Sequence, residues 1–502
     1  MNTLSTPLPS SFVASNKTAS PRSHSALIGF WGVCASLAVV GFFTPNGLAT
    51  SAAFAALPIL GLLLWREGEP PVLLFGCAFQ WLQATAAIFY TNHFGQTLEE
   101  AFGSNELTVA TWLSILAVVI LAGGIRCGFI GAGKPRRSEL EFEASRIDIK
   151  KVTVLYGLSF VGAAFLNLIA WRLPSITQPL LAMAALKWGV VYLLCYTVMH
   201  QRQGYGILVL CLGLEFIMGL FGIFADFKSV FFVLVVAAMS SPLALRGRRL
   251  VVTLICFVIL FALGVVWTAV KMDYREFLTN EGTANEEAIP IERKFGKLAD
   301  LVESVTWDNF TDGIDALILR VSYVNFFALT LENVPARVPY ENGELWGGSV
   351  MHVLMPRFLF PDKPALDDSE RTRLYAGVQV AGTETGTSIG IGYVGESYVD
   401  FGPIGMFAPI FVLGLFYGFI NRFFISRTKY KLLGAALAVS VLIFNAFAIE
   451  TSNVKLVGGV VSVALVSVVI YNLFGRTIAN FLAQSPGREA GVRRSAAESR
   501  VA

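Results

Sequence analysis

The chain has 502 residues, 55% of them hydrophobic and only 15% charged, with a mean hydropathy of +0.63. This composition excludes an ordinary water-soluble enzyme, and 40 Phe with 46 Gly spread through long apolar runs fit packed transmembrane helices. The net charge of +3 is too small to imply a nucleic-acid partner.

Residues 1–24 are rich in Ser, Thr, Pro and Asn, lack a packing pattern, and are expected to form a disordered cytoplasmic N-terminus. Nine apolar stretches follow near 25–43, 48–65, 72–90, 107–125, 152–171, 180–199, 205–224, 229–245 and 250–270, each long enough to cross hydrocarbon. The first is read as a retained anchor, because further spans follow at once. A long stretch, 271–402, precedes three more spans near 403–420, 432–449 and 454–473, and the tail 474–502 is expected to be cytoplasmic and largely disordered. The expected fold is an all-α polytopic integral membrane protein of about 12 transmembrane helices, with one large external loop between spans 9 and 10. The six Cys fall within spans or at a cytoplasmic edge, so no disulfide framework is implied.

Charge sets the orientation. With the N-terminus inside, the cytoplasmic segments hold 23 Lys and Arg against 8 acids, and the remainder holds 15 against 27. This is the positive-inside pattern, and it places both termini in the cytoplasm. Gly313 to Leu331 is apolar enough to span, yet a crossing there would turn the basic loop 421–431 outward. It is therefore read as a helix lying on or dipping into the outer leaflet, and Leu345 to Phe360 as a re-entrant or interfacial segment.

The external loop carries 21 acids and 11 basic residues, but cations cluster locally in Met355-Pro-Arg-Phe-Leu-Phe-Pro-Asp-Lys-Pro364. Prolines bracket Arg357 and Lys363 and hold them in defined positions, where a guanidinium fork and an ammonium point charge suit phosphate oxygens. Anchoring to lipid headgroups explains the same pair equally well. His352 lies nearby without a partner in sequence. The Gly- and Thr-rich stretch 377–392 then leads into Tyr393-Val-Gly-Glu-Ser-Tyr-Val-Asp400, whose Tyr393 and Tyr398 suit sugar rings. Glu396 and Asp400 are four apart, on one face if this is a helix, where a carboxylate can take a proton from a sugar hydroxyl. Complementing a helix N-terminus accounts for Asp400 as well as catalysis does. Within the spans, Lys187 and Glu215 are the ionisable residues to weigh, as a structural ion pair or as a substrate path. His24, His93, His200 and His352 have no metal-ligand spacing, and phosphate-loop and dinucleotide fingerprints are missing, so neither a metal nor a nucleotide cofactor is expected.

The order Arg320, Val334-Pro, Val338-Pro-Tyr340, Pro356-Arg-Phe-Leu-Phe-Pro-Asp-Lys-Pro364, then Gly395-Glu-Ser-Tyr-Val-Asp-Phe-Gly-Pro-Ile-Gly405 before a span resembles the Wzy-type O-antigen and exopolysaccharide repeat-unit polymerases. The resemblance implies a GT-C-like, metal-independent glycosyltransferase at the periplasmic face of the bacterial inner membrane. Its substrates would be glycans linked to undecaprenyl diphosphate, and a flippase and a chain-length regulator would be its partners. Arg320, Arg357 and Lys363 would then stabilise the departing lipid diphosphate. Glu396 would be the base, and His352, Tyr393, Tyr398 and Asp400 would line the substrate. An O-antigen ligase shares the layout and the donor chemistry. A secondary transporter or flippase of lipid-linked glycans shares the span number and the intramembrane charges.

Overall fold

The structure is a computed structural model that describes residues 21–131, 137–170, 172–220, 227–241, 258, 261–271, 273–274, 276–277, 290–357, 359–360, 363, 367–382 and 388–484. In chain order its helices begin with α1 (Pro21–Gly41), α2 (Gly47–Leu64), α3 (Val72–His93), α4 (Leu98–Phe102), α5 (Glu106–Gly128), α6 (Arg137–Arg146) and α7 (Ile149–Ala170). Next come α8 (Thr177–Ala185), α9 (Lys187–Gln201), α10 (Tyr205–Leu220), α11 (Lys228–Ser240), α12 (Phe261–Lys271), α13 (Ile291–Glu303), α14 (Trp307–Val321) and α15 (Val324–Asn333). Last are α16 (Glu344–Leu354), α17 (Asp368–Ala376), α18 (Gly392–Gly405), α19 (Phe407–Arg427), α20 (Lys431–Leu442) and α21 (Asn453–Leu482). Among the described residues there is no strand, only an isolated bridge between Ile147 and Ala483.

The protein is an all-helical, multi-pass membrane protein. Seven helices are long and apolar enough to cross a bilayer: α2, α3, α5, α7, the continuous 28-residue segment Pro174–Gln201 that contains α8 and α9, α19 and α21. They coincide with expected spans 2 to 6, 10 and 12. The other expected spans contain shorter apolar helices, Gly29–Gly41 of α1, α10, α11, α12 and α20. Most of 250–260, the first half of expected span 9, lies outside the described residues.

Several boundaries differ from the sequence reading. Of the two ends expected to be disordered, 1–20 and 485–502 lie outside the described residues, but α1 already begins at Pro21 and α21 continues past 474 to Leu482. Gly313 to Leu331 is two helices, α14 and α15, bent by 51° at Ser322–Tyr323. The expected span 432–449 stops at Leu442 and gives way to turns up to Ser452. That break is possible in an apolar setting because α3 satisfies the freed backbone. Gln80 donates from Nε2 to Ala446 O at 2.9 Å, and Gln83 Oε1 accepts from Ile449 N at 3.0 Å. Gln83 O also accepts from Tyr323 N at 3.2 Å, so one residue of α3 serves both breaks.

Helix α19 lies against α5 along a glycine seam, Gly124 and Gly128 facing Gly414 and Gly418. A Cβ on Gly414 would sit 3.0 Å from Gly124 Cα, and one on Gly418 would sit 3.0 Å from Gly128 Cα. Both would also press into the carbonyl oxygens of Leu121 and Ile125. Small residues thus let two backbones touch where lipid offers no hydrophobic drive for association. Gly414→Val should separate these helices and lower the thermal stability of the detergent-purified protein by an amount typical of overpacking, about 1–3 kcal/mol. Gly123→Ala, whose added Cβ would meet open space, should not lower stability. Equal melting of the two variants would show that the seam is not a tight contact.

Candidate functional site

The break between α20 and α21 packs against the chain entering α18, with Gly390 and Gly392 beside the carbonyl oxygens of Glu450 and Ile449, and charged residues of α17 and α18 meet the start of α21 just after it. Helix α18 holds Glu396 and Asp400 four residues apart, and each carboxylate sits at the N-terminus of another helix, where unpaired N–H groups favour negative charge. Asp400 Oδ1 accepts from Leu345 N at 3.0 Å and Oδ2 from Trp346 N at 2.9 Å, which caps α16. Glu396 Oε2 accepts from Asn453 N, the first residue of α21, at 2.8 Å. Its Oε1 lies 2.9 Å from Arg371 Nη1 of α17. Both carboxylates are 1% exposed. Glu396, read from the sequence as a carboxylate able to take a proton from a sugar hydroxyl, is buried with both oxygens engaged. Asp400 complements the start of α16, not of its own helix or of the following span.

Helix α17 starts at Asp367, whose side chain accepts from Ser369 N at 2.9 Å and from Glu370 N at 3.3 Å. It is pinned by Asn333, which donates from Nδ2 to Leu374 O and Tyr375 O at 3.0 Å each, and by Thr372 Oγ1 donating to Ile389 O at 2.7 Å. Beside Arg371, Asp368 pairs with Lys455 of α21 at 2.7 Å.

The cationic cluster surrounds His352 on α16. Lys363 Nζ donates to the carbonyl oxygens of His352 and, at 2.9 Å, Met355. Burial, then the charges of Lys363, Arg357 and Arg371, push the His352 imidazole down to about 4, so it is neutral near pH 7. Burial and Arg357 likewise lower Lys363. Arg357, Lys363 and His352 therefore come together as the sequence suggested, and Arg371 joins them to Glu396. Arg320 does not join this group. It lies instead, with Lys228 of α11, near the exposed Glu450, whose ionised form both cations favour.

Tyr393 and Tyr398 are packed inside. Tyr393 donates to Gln80 Oε1 at 2.7 Å and Tyr398 to Val334 O at 2.9 Å, so these two hydroxyls anchor α18 to α3 and to the end of α15. Lys187 and Glu215 meet at 2.7 Å between α9 and α10. The ammonium lies 4.6 Å from the Trp188 ring centre, and Glu215 Oε1 has no partner among the described residues.

The sequence reading missed Arg371, Asp368, Lys455 and Tyr323. Tyr323 donates to Ile391 O and accepts from Gly395 N at 3.1 Å, forming the wall behind Glu396. The available signal was Asp367-Asp-Ser-Glu370, a helix start that places Arg371 one turn in.

A family described as a domain of unknown function (DUF8712) matches residues 71–481. The chain belongs to the DUF8712 family. No curated protein and no solved structure matches it. The DUF8712 region runs from the start of α3 almost to the end of α21, so it contains both glutamines that close the break and every member of the charged cluster.

Two outcomes follow from this geometry. Burial outweighs Arg371 and Asn453 N–H and raises Glu396 from the ordinary 4.5 to about 7. A carboxyl held more tightly protonated in the folded state costs stability once it ionises, so stability should fall as pH rises between about 4.5 and 7. Melting temperature should thus be higher at pH 6 than at pH 8, and Glu396→Gln should shrink that difference; an unchanged difference would show that Glu396 does not titrate there. Lys187→Met leaves Glu215 buried alone and should cost about 3–5 kcal/mol. The double variant Lys187→Met/Glu215→Met should recover most of this in a melting experiment, and failure to do so would mean that the pair is not the source of the cost.

Proposed function

We propose that this DUF8712 protein polymerises oligosaccharide repeat units linked to undecaprenyl diphosphate into O-antigen or exopolysaccharide. The reaction would take place at the periplasmic face of the bacterial inner membrane, with both termini cytoplasmic and the shorter apolar helices completing twelve crossings in a GT-C-like arrangement. The observation that carries this reading is the convergence of Arg357, Lys363 and Arg371 on the neutral His352. Lys363 is held there by backbone carbonyls, which position an ammonium without neutralising it. A group of cations kept together beside membrane-long helices suits a lipid diphosphate.

In this reaction the acceptor sugar hydroxyl oxygen bonds to the anomeric carbon of the donor glycan. The bond from that carbon to the diphosphate oxygen breaks, and the electron pair leaves with the lipid diphosphate. Arg357, Lys363 and Arg371 stabilise the charge that collects on the leaving oxygens. Once Arg371 has turned toward the diphosphate, the Glu396 carboxylate that it covered takes the hydroxyl proton, in the fraction of molecules in which Glu396 is still ionised. Arg320, Lys228 and Glu450 border a separate charged region, available to the rest of the substrate.

The test is elongation of lipid-diphosphate-linked repeat units by the purified protein in liposomes, read as a ladder on a gel. Arg357→Lys keeps the charge but loses the bidentate fork, and should reduce the ladder at least roughly tenfold at equal protein level. Near-normal ladders from Arg357→Ala would remove the diphosphate role and leave a headgroup anchor. Transfer of the glycan to a lipid core, with no ladder, would favour the ligase.

A further inference from the structure

Glu396 and Arg371 form a contact that a purely structural ion pair does not require. The carboxylate is sealed at 1% exposure, while the Arg371 side chain keeps 25% of its surface open. One guanidinium nitrogen, Nη1, is given to Glu396 at 2.9 Å. The same cation lies close enough to His352 to lower its pKa together with Lys363 and Arg357. Arg371 therefore stands between a buried carboxylate and the cationic cluster, with donors left over on a planar fork.

We infer that Arg371 is an exchangeable counter-ion, paired with Glu396 when the site is empty and transferred to a diphosphate when one binds. The inference deepens the proposed function by naming the residue that couples donor binding to the carboxylate. Glu396 cannot follow Arg371, because its other oxygen is fixed at the N-terminus of α21. Losing Arg371 leaves that carboxylate buried beside Asp368, whose negative charge also disfavours its ionised form. An anion at Arg371 thus promotes proton uptake by Glu396, and by reciprocity a proton on Glu396 promotes anion binding.

The groups facing Glu396 are few. They are Arg371 and Asp368 from α17, the latter paired with Lys455 of α21, the Tyr323 hydroxyl before α15, and Asn453 N; Glu450 faces Tyr323. In the empty site His352, pushed down to about 4, is neutral at both pH 6 and pH 8.

The experiment measures binding of a dialkyl diphosphate diester, whose own charge is constant over the range, to the full-length protein in detergent by calorimetry. Wild type should bind several-fold more tightly at pH 6 than at pH 8. Glu396→Gln, close in size and lacking the competing charge, should bind at pH 8 at least as tightly as wild type at pH 6, with no pH dependence. Arg371→Gln should weaken binding at pH 6 by roughly 10–100-fold, the loss expected for charge-assisted hydrogen bonds. Should Arg371→Gln fail to fold, the Glu396→Gln profile decides alone. Wild-type affinity that ignores pH, wild-type affinity in Arg371→Gln, or weakened binding in Glu396→Gln would each overturn the exchange. A wild type that shows the expected pH dependence yet elongates no lipid-linked unit upholds the exchange and removes the polymerase reading.

Discussion

Backbone that leaves a helix among apolar surroundings must find hydrogen-bond partners inside the protein, and the end of this molecule that holds the charged site is arranged around that requirement. Two apolar runs are broken close together, between α14 and α15 and between α20 and α21, and the chain entering α18 meets both breaks. Gln80 and Gln83 supply partners to Ala446, Ile449 and Tyr323, and Tyr323 in turn serves Ile391 and Gly395. Tyr417 adds a bond from its hydroxyl to Asn445 O at 3.0 Å. The breaks cannot shift independently, because each is closed by a side chain or carbonyl that another also uses. A pocket of helix termini is thereby held at a fixed place against α3.

Helix termini carry partial charges, and the site's carboxylates are placed where those charges are positive. Asp400 at α16 and Glu396 at α21 satisfy orphan N–H groups that burial would otherwise leave unpaired. The cations are treated differently. Lys363 is held by carbonyl oxygens, and Arg371 meets a carboxylate that burial brings close to losing its charge at neutral pH. The carboxylates are thus engaged by helix N-termini, and Lys363 and Arg371 by a pair of carbonyls and by one carboxylate oxygen.

The long helices were legible because an uninterrupted apolar run of about 20 residues has few alternatives in a chain this hydrophobic. The break at 443–452 was not, because Ile443-Phe-Asn-Ala-Phe-Ala-Ile449 is as apolar as the helix before it. What ends the helix is a pair of glutamines more than 350 residues earlier, and their presence in the middle of the apolar α3 was the one hint. In the site, Arg357, Lys363 and His352 were legible as a group because they are neighbours in sequence. Arg371 was not, since its partner Glu396 is 25 residues away and nothing local marks the contact. The spacing of Glu396 and Asp400 gave their common face correctly, but their roles depend on which helix ends they meet, and that is a tertiary fact.

The other end of α21 explains why the side chain that can move in this site is an arginine. At 30 residues the helix is about 45 Å long, more than the hydrocarbon thickness, so its two ends lie in different surroundings. The far end is tied down: Leu482 O accepts from Asp148 N at 2.9 Å, Gln484 N donates to Arg146 O at 2.8 Å, and Lys151 Nζ donates to Ala483 O at 2.6 Å. The near end is held by Glu396 on Asn453 and by Lys455 on Asp368. Glu396 itself rides on α18, which meets α19 across Gly402, at φ 70°, and Pro403, and α19 is locked to α5 by the glycine seam. Every backbone element around the carboxylate is therefore fixed at two points. A guanidinium on a flexible, partly exposed stem is the component left with freedom to exchange partners, and it can do so without moving any helix.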